Sequence, residues 1–202
     1  MPSDRPIKVL IWIYLVLLLI EGSLRKWVFP GLSDWLLITR DPVVLLIYLL
    51  ALGRNRLPFN GLVLTATAMG IVTLVWSLLA EQENLLITLY GLRINYLHLP
   101  MIWVMGTVLT RRDVDLIGKF LLVVAIPMTI LMVLQFYAPQ DHFLNRGGGG
   151  EEGGQMMGAA GHIRPPGTFS FNTGPQIFYP IAAALFSTNS TRTGSCGGGC
   201  WP

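Results

Sequence analysis

The chain has 202 residues, 12% of them charged and 52% hydrophobic, and its mean hydropathy is +0.57. Soluble domains carry roughly 25% charged residues, so this composition excludes a water-covered globule and, being rich in apolar residues, a disordered chain. The net charge of +3 does not imply a nucleic-acid partner, because the basic residues stand in ones and twos between apolar runs. The expected fold is an all-α, polytopic integral membrane helical bundle with about five complete transmembrane helices and a partial sixth.

The first predicted helix covers about residues 7–27. Arg5 and Lys8 precede an apolar run from Val9 to Ile20 that resembles a signal peptide, but Ile20-Glu21-Gly22-Ser23 is a poor cleavage site. Val9 to Ile20 reaches only about 18 Å at 1.5 Å per residue, short of the roughly 30 Å hydrocarbon core. The helix is therefore expected to continue to Trp27, with Glu21 and Arg25 in the favourable i, i+4 order. Lys26 is expected to snorkel to the headgroups, and Pro30 to stop the element.

A second span is expected over 36–52. Asp41-Pro42 reads as an N-cap followed by proline at the first helical position. Because Val43 to Leu52 is too short to cross alone, the element either draws Arg40 and Asp41 toward the membrane or is broken. Residues 61–79 form the cleanest span, since Leu57 to Ala80 holds no charge. Further spans are expected at 85–109 and 114–138, then a Gly-rich external loop at 139–176. A sixth helix starts over 177–187, and a disordered tail covers 188–202. Arg5, Lys8, Arg54, Arg56, Arg111 and Arg112 fall on one side and Glu81-Gln82-Glu83-Asn84 on the other. That arrangement sets the N-terminus in the cytoplasm.

The stretch from Arg146 to Gly154 lacks the Gly-Lys-Ser/Thr ending of a phosphate-binding loop and reads as a linker. His162-Ile163-Arg164-Pro165-Pro166-Gly167-Thr168-Phe169 differs, because two prolines stiffen the backbone and a glycine permits a tight turn. An arginine held there beside a bilayer suits an anionic headgroup. Cys196 and Cys200 have spacing for a metal half-site or a small disulfide loop, yet nothing else in the chain completes either, so no metal or cofactor is expected. His98, just before Leu99-Pro100, is expected to bond a carbonyl freed by the proline. Met128 and Met132 are read as ordinary packing.

Glu21-Gly22-Ser23-Leu24-Arg25-Lys26-Trp27, Arg40-Asp41-Pro42, Gly91-Leu92-Arg93-Ile94-Asn95-Tyr96 and Arg164-Pro165-Pro166-Gly167-Thr168-Phe169 occur in that order. Together they resemble the N-terminal half of bacterial O-antigen ligase/polymerase-like membrane proteins, over most of Ile7 to Leu185. In place of that family's Gly-Asn-Pro-Asn-like segment stands Phe169-Ser170-Phe171-Asn172-Thr173-Gly174-Pro175. The resemblance implies a multi-pass protein of the bacterial inner membrane in lipopolysaccharide biosynthesis. Such proteins are metal-independent glycosyltransferases that move glycan from an undecaprenyl-diphosphate carrier on the periplasmic side. It also implies about twice as many helices and a later loop bearing a functional His. The chain is accordingly expected to be a truncated copy without that catalytic half, and neither His98 nor His162 takes on the role.

Eleven of the fourteen basic residues are arginine, the side chain that grips phosphate through paired donors. Arg25, Arg40, Arg93 and Arg164 belong to the expected outer side and are the candidates for binding diphosphate. Arg93 has no acidic residue within a helical turn, and charge at membrane depth is costly enough to be presumed functional. The expected partners are the lipid bilayer and an undecaprenyl-diphosphate-linked glycan. A transporter or flippase for a lipid-linked sugar is the alternative activity; a membrane fragment with no activity of its own is the other.

Overall fold

A computed structural model describes residues 4–57, 61–79, 91, 93–147 and 162–195. Among the described residues the secondary structure is helical and contains no strand. Two helical segments, Arg5–Val28 and Arg111–Tyr137, are long and apolar enough to cross a membrane. The chain divides into two compact units: 1–15 with 39–109, and 16–38 with 110–202.

In the first unit, α1 (Arg5–Ser23) supplies Ile7, Ile11 and Tyr14 to the core, and α3 (Asp41–Gly53) supplies Val44, Ile47 and Ala51. Met101, Val104 and Val108 come from α5 (Met101–Val108). Each triplet repeats at three- and four-residue intervals, which aligns it on one helix face. Two polar bonds add to this packing. Tyr48 Oη donates to the Leu97 carbonyl at 2.6 Å, and Arg56 pairs with Asp4 at 2.8 Å. Helix α4 (Gly61–Leu79) keeps the expected boundaries. It meets Tyr96, whose ring lies against Gly70 and whose hydroxyl is 3.0 Å from Thr73 Oγ1. Leu64 and Trp76 remain 73% exposed on α4, an apolar surface suited to lipid or a partner rather than to water.

Two expected spans are interrupted. The element expected over 36–52 is broken: α2 (Ser33–Ile38) ends before a turn at Thr39–Arg40, and α3 starts at Asp41. The cap is also displaced by one residue, since Arg40 holds the N-cap position and Asp41 lies inside the first turn. In the segment expected over 85–109, a π-helical turn at Arg93–Leu97 leads through His98–Pro100 into α5. Pro100 has no N–H to continue the ladder. Residues 80–90, including the turn expected at Glu81–Asn84, lie outside the described residues.

In the second unit the continuation of α1 ends in a π-helical turn, Leu24–Val28, where the Phe29 N–H reaches the Leu24 carbonyl at 2.7 Å. A 3₁₀ turn follows at Pro30–Leu32. The longest helix among the described residues, α6 (Arg111–Tyr137), begins at a capping box: Thr110 Oγ1 accepts from the Asp113 N–H, and Asp113 accepts from the Thr110 N–H. It ends where Ala138, held extended by Pro139, leaves the helical region. Buried Asn145 then covers that end, its Nδ2 donating to the carbonyls of Gln135, Ala138 and Pro139. Helix α7 (Thr173–Ser195) packs along α6. It starts earlier than the expected 177 and continues to Ser195, past the point where a tail is expected. Cys196 and Cys200 lie outside the described residues, as do most of the Gly-rich stretch and the rest of the tail.

Candidate functional site

The four candidate arginines divide between the units. Arg40 and Arg93 belong to the first, Arg25 and Arg164 to the second.

In the first unit Arg93, which has no acidic residue within a helical turn, meets a carboxylate from a distant part of the sequence. Its carboxylate partner is Asp41, 52 residues away in sequence: Nε donates to Oδ2, and Nη2 donates to Oδ1 at 3.1 Å. The side chains are 19% and 11% exposed, so this two-point pair is largely screened from solvent. Asp41 thus directs its carboxylate to Arg93 instead of capping α3. His98 Nε2 stands 3.8 Å from Asp41 Oδ1, too far for a hydrogen bond. Arg93 is therefore engaged in a largely buried ion pair with Asp41. Arg40 sits at the entry to α3 and takes part in an interaction of its own.

In the second unit, the turn Arg164–Phe169 is fastened to α6 and to the end of α1. Gln135, fully buried on α6, is the main anchor. Its Oε1 accepts from the Gly167 N–H at 2.8 Å, and its Nε2 donates to the carbonyls of Leu144 (3.0 Å) and Gly167 (3.2 Å). Lys26 Nζ donates to the same Gly167 carbonyl at 3.1 Å. Lys26 is only 1% exposed, so the snorkelling expected of it does not occur. Arg25 is likewise buried and donates to Ser170 Oγ at 3.0 Å.

The approach of α1 to this turn requires glycine. A Cβ on Gly22 would stand 2.1 Å from the Thr168 carbonyl oxygen and 2.6 Å from Ser170 N. Gly167 takes φ +60, the left-handed region that glycine enters without strain. Met128 exceeds its expected packing role, because its sulfur accepts from the Thr168 N–H at 3.3 Å and from Oγ1 at 3.4 Å.

These bonds leave Arg164 presented rather than tucked away. It is exposed, and it lines a cavity of about 310 Å³ with His162, Asn172 and Gln176. The lining holds no carboxylate among the described residues. His162 stacks on Phe136, ring centroids 4.5 Å apart, with Nδ1 3.2 Å from the Phe136 carbonyl. The cavity therefore combines one cation with amide donors around a space large enough for a phosphate-bearing group. No cluster of three His, Cys, Asp or Glu side chains able to hold a metal occurs among the described residues.

No family model, curated protein or solved structure matches this chain. The site's chemistry has to be read from its own residues.

Sequence reasoning missed Gln135, Asn145 and the buried placement of Lys26. A signal for Gln135 exists, since Leu121, Met128 and Gln135 recur every seven residues on the buried face of α6. A lone amide on such a face needs a partner.

Proposed function

We propose that this chain is a multi-pass protein of the bacterial inner membrane, cytoplasmic at its N-terminus, of the O-antigen ligase/polymerase type. In this reading it engages a glycan carried on undecaprenyl diphosphate at the periplasmic side. Arg164 carries the proposal: it stands on a stiffened turn, lines a cavity with no carboxylate among the described residues, and has amide donors beside it. A diphosphate leaving group is stabilised by such preorganised donors, which need no reorganisation as charge develops. Arg25 and Lys26 then serve the site from behind, by holding the turn that presents Arg164.

The test is retention of a lipid-linked glycan by the chain in proteoliposomes. Arg164→Ala is expected to abolish retention while membrane insertion is unchanged, whereas Arg93→Lys, which keeps the charge opposite Asp41, preserves it. Undiminished retention by the Arg164 variant refutes the reading. Flux of lipid-linked sugar without transfer product favours a transporter instead. A reporter fused after Glu83 is expected to be external, and a cytoplasmic signal there overturns the orientation.

A further inference from the structure

Helices α6 and α7 of the second unit each carry an internal proline, Pro127 and Pro180. Proline has no N–H, so the carbonyls of Val123 and Gln176, four residues back, lose their helical donors. One such proline is commonplace in an apolar helix. Here two of them stand at one level of a packed pair. Thr129 and Tyr179 mark that level, their hydroxyl oxygens 2.7 Å apart, and each lies within two residues of its proline. Thr129 Oγ1 donates to the Ala125 carbonyl at 2.7 Å, so between the two hydroxyls it is the tyrosine that donates. A threonine bonded back to the preceding turn itself favours bending of its helix.

The Arg164 cavity lies on the Tyr137 side of that level, as does an adjoining cavity of about 440 Å³ that has Thr129 and Tyr179 at its end. Met132 and Phe136 of α6 and Pro175 and Gln176 of α7 form walls of the Arg164 cavity. Gln176 is thus both a wall residue and the owner of a carbonyl released by Pro180. The turn bridges the two walls. Gly167 is bonded to Gln135 of α6, and Phe169 packs on Phe178 of α7 with ring centroids 5.9 Å apart. A Cβ on Gly174 would overlap the same Phe169 ring. Any change in the separation of the walls therefore reaches the turn that presents Arg164.

We infer that the Thr129–Tyr179 bond is the pivot of a paired proline hinge, about which the segments 128–137 and 173–179 spread and close to set access to the Arg164 cavity. The inference rests on that cavity being a site, as in the proposed function, but not on the identity of its ligand or on any reaction. Missing ladder bonds at a matched level let both walls flex there, while the hydroxyl pair holds the helices together at the point of flexing. On the Arg111 side of the pivot neither helix contains another proline, so bending is confined to the cavity side. Sharp proline kinks exceed about 20°. Thr173 lies about 10 Å of helix from Pro180, so a bend of about 20° displaces that end by about 3 Å.

The experiment is spin-label distance measurement by pulsed electron resonance on the full chain in lipid nanodiscs. One pair of labels goes at Tyr137 and Thr173, on the cavity side of the pivot, and a reference pair at Val123 and Phe186, beyond it; all four positions are exposed. Cys196 and Cys200 are replaced by serine so that only the introduced cysteines carry label. The cavity-side pair is expected to show two components about 3 Å or more apart, and the reference pair one. Pro180→Ala, which returns a donor to the Gln176 carbonyl, should collapse the cavity-side distances to the shorter component. Tyr179→Phe, which removes the pivot bond and keeps the ring, should shift weight to the longer one. A single cavity-side component in the wild-type chain overturns the hinge. So does failure of either variant to alter that distribution with helicity intact, or an equal change in the reference pair. A rigid hairpin in a chain whose glycan retention is lost in Arg164→Ala removes the hinge and keeps the proposed function; a two-component hairpin with retention untouched by Arg164→Ala does the reverse.

Discussion

Replacing Gln135 by alanine tests whether one buried amide holds the Arg164 turn. In the wild-type chain its side chain makes three hydrogen bonds, at 2.8, 3.0 and 3.2 Å. The losses are unequal. The Gly167 carbonyl keeps Lys26 as donor, whereas the Gly167 N–H loses its acceptor inside a buried turn. An unsatisfied buried donor costs about 1–3 kcal/mol, so opening of the turn should become easier by that amount. Amide exchange at Gly167, followed by mass spectrometry of a peptide over 162–171 in nanodiscs, should accelerate roughly 5- to 150-fold. Gln135→Leu, which restores much of the volume without hydrogen bonds, should exchange nearly as fast as the alanine variant. Gln135→Glu retains an acceptor for the Gly167 N–H and should remain slower at that amide than either. Unchanged exchange at Gly167 in Gln135→Ala, with the helices intact by circular dichroism, would refute the assignment of Gln135 as the anchor.

Three other substitutions probe separate joints. Gly22→Ala introduces a Cβ against rigid backbone at 2.1–2.7 Å, and should cost about 3 kcal/mol as the turn is displaced, read as a fall in thermal midpoint in detergent. Arg93→Ala leaves the Asp41 carboxylate without its two-point partner and should destabilise the first unit by about 3–5 kcal/mol. The double variant with Asp41→Asn should recover part of that loss, and no recovery would argue against the pair. Thr110→Ala removes the capping box at the start of α6 and should cost about 1 kcal/mol, measurable as faster amide exchange confined to residues 111–114.

Much of the helix pattern can be read from local sequence, because apolar periodicity and breakers act over a few residues. The boundaries of α4 match expectation, and those of α6 lie within a turn of it. The break before Asp41 is one of two outcomes that the short apolar run allows. The ion pair between Arg93 and Asp41 is of another kind: it joins positions 52 residues apart, and no local pattern encodes which acid meets which arginine. The burial of Lys26 follows from the same limitation, since a cation beside Trp27 looks like an interfacial anchor until the Gly167 carbonyl is brought to it. Arg164 is legible in the sequence as a stiffened cation, but the two cavities beside it arise only when α6, α7 and the turn are packed together.

The Gly167 carbonyl receives hydrogen bonds from both Lys26 and Gln135, and one acceptor with two donors behaves as redundant wiring. Removing either donor leaves the oxygen satisfied; removing both strands it. The two positions lie 109 residues apart in sequence, and their substitutions should be strongly non-additive, with the paired loss exceeding the sum of the single losses. Variation at position 26 is consequently conditional on the residue at 135. Loss of the Lys26 amine leaves the oxygen with Gln135 as donor, and so sensitises the chain to any later change at 135.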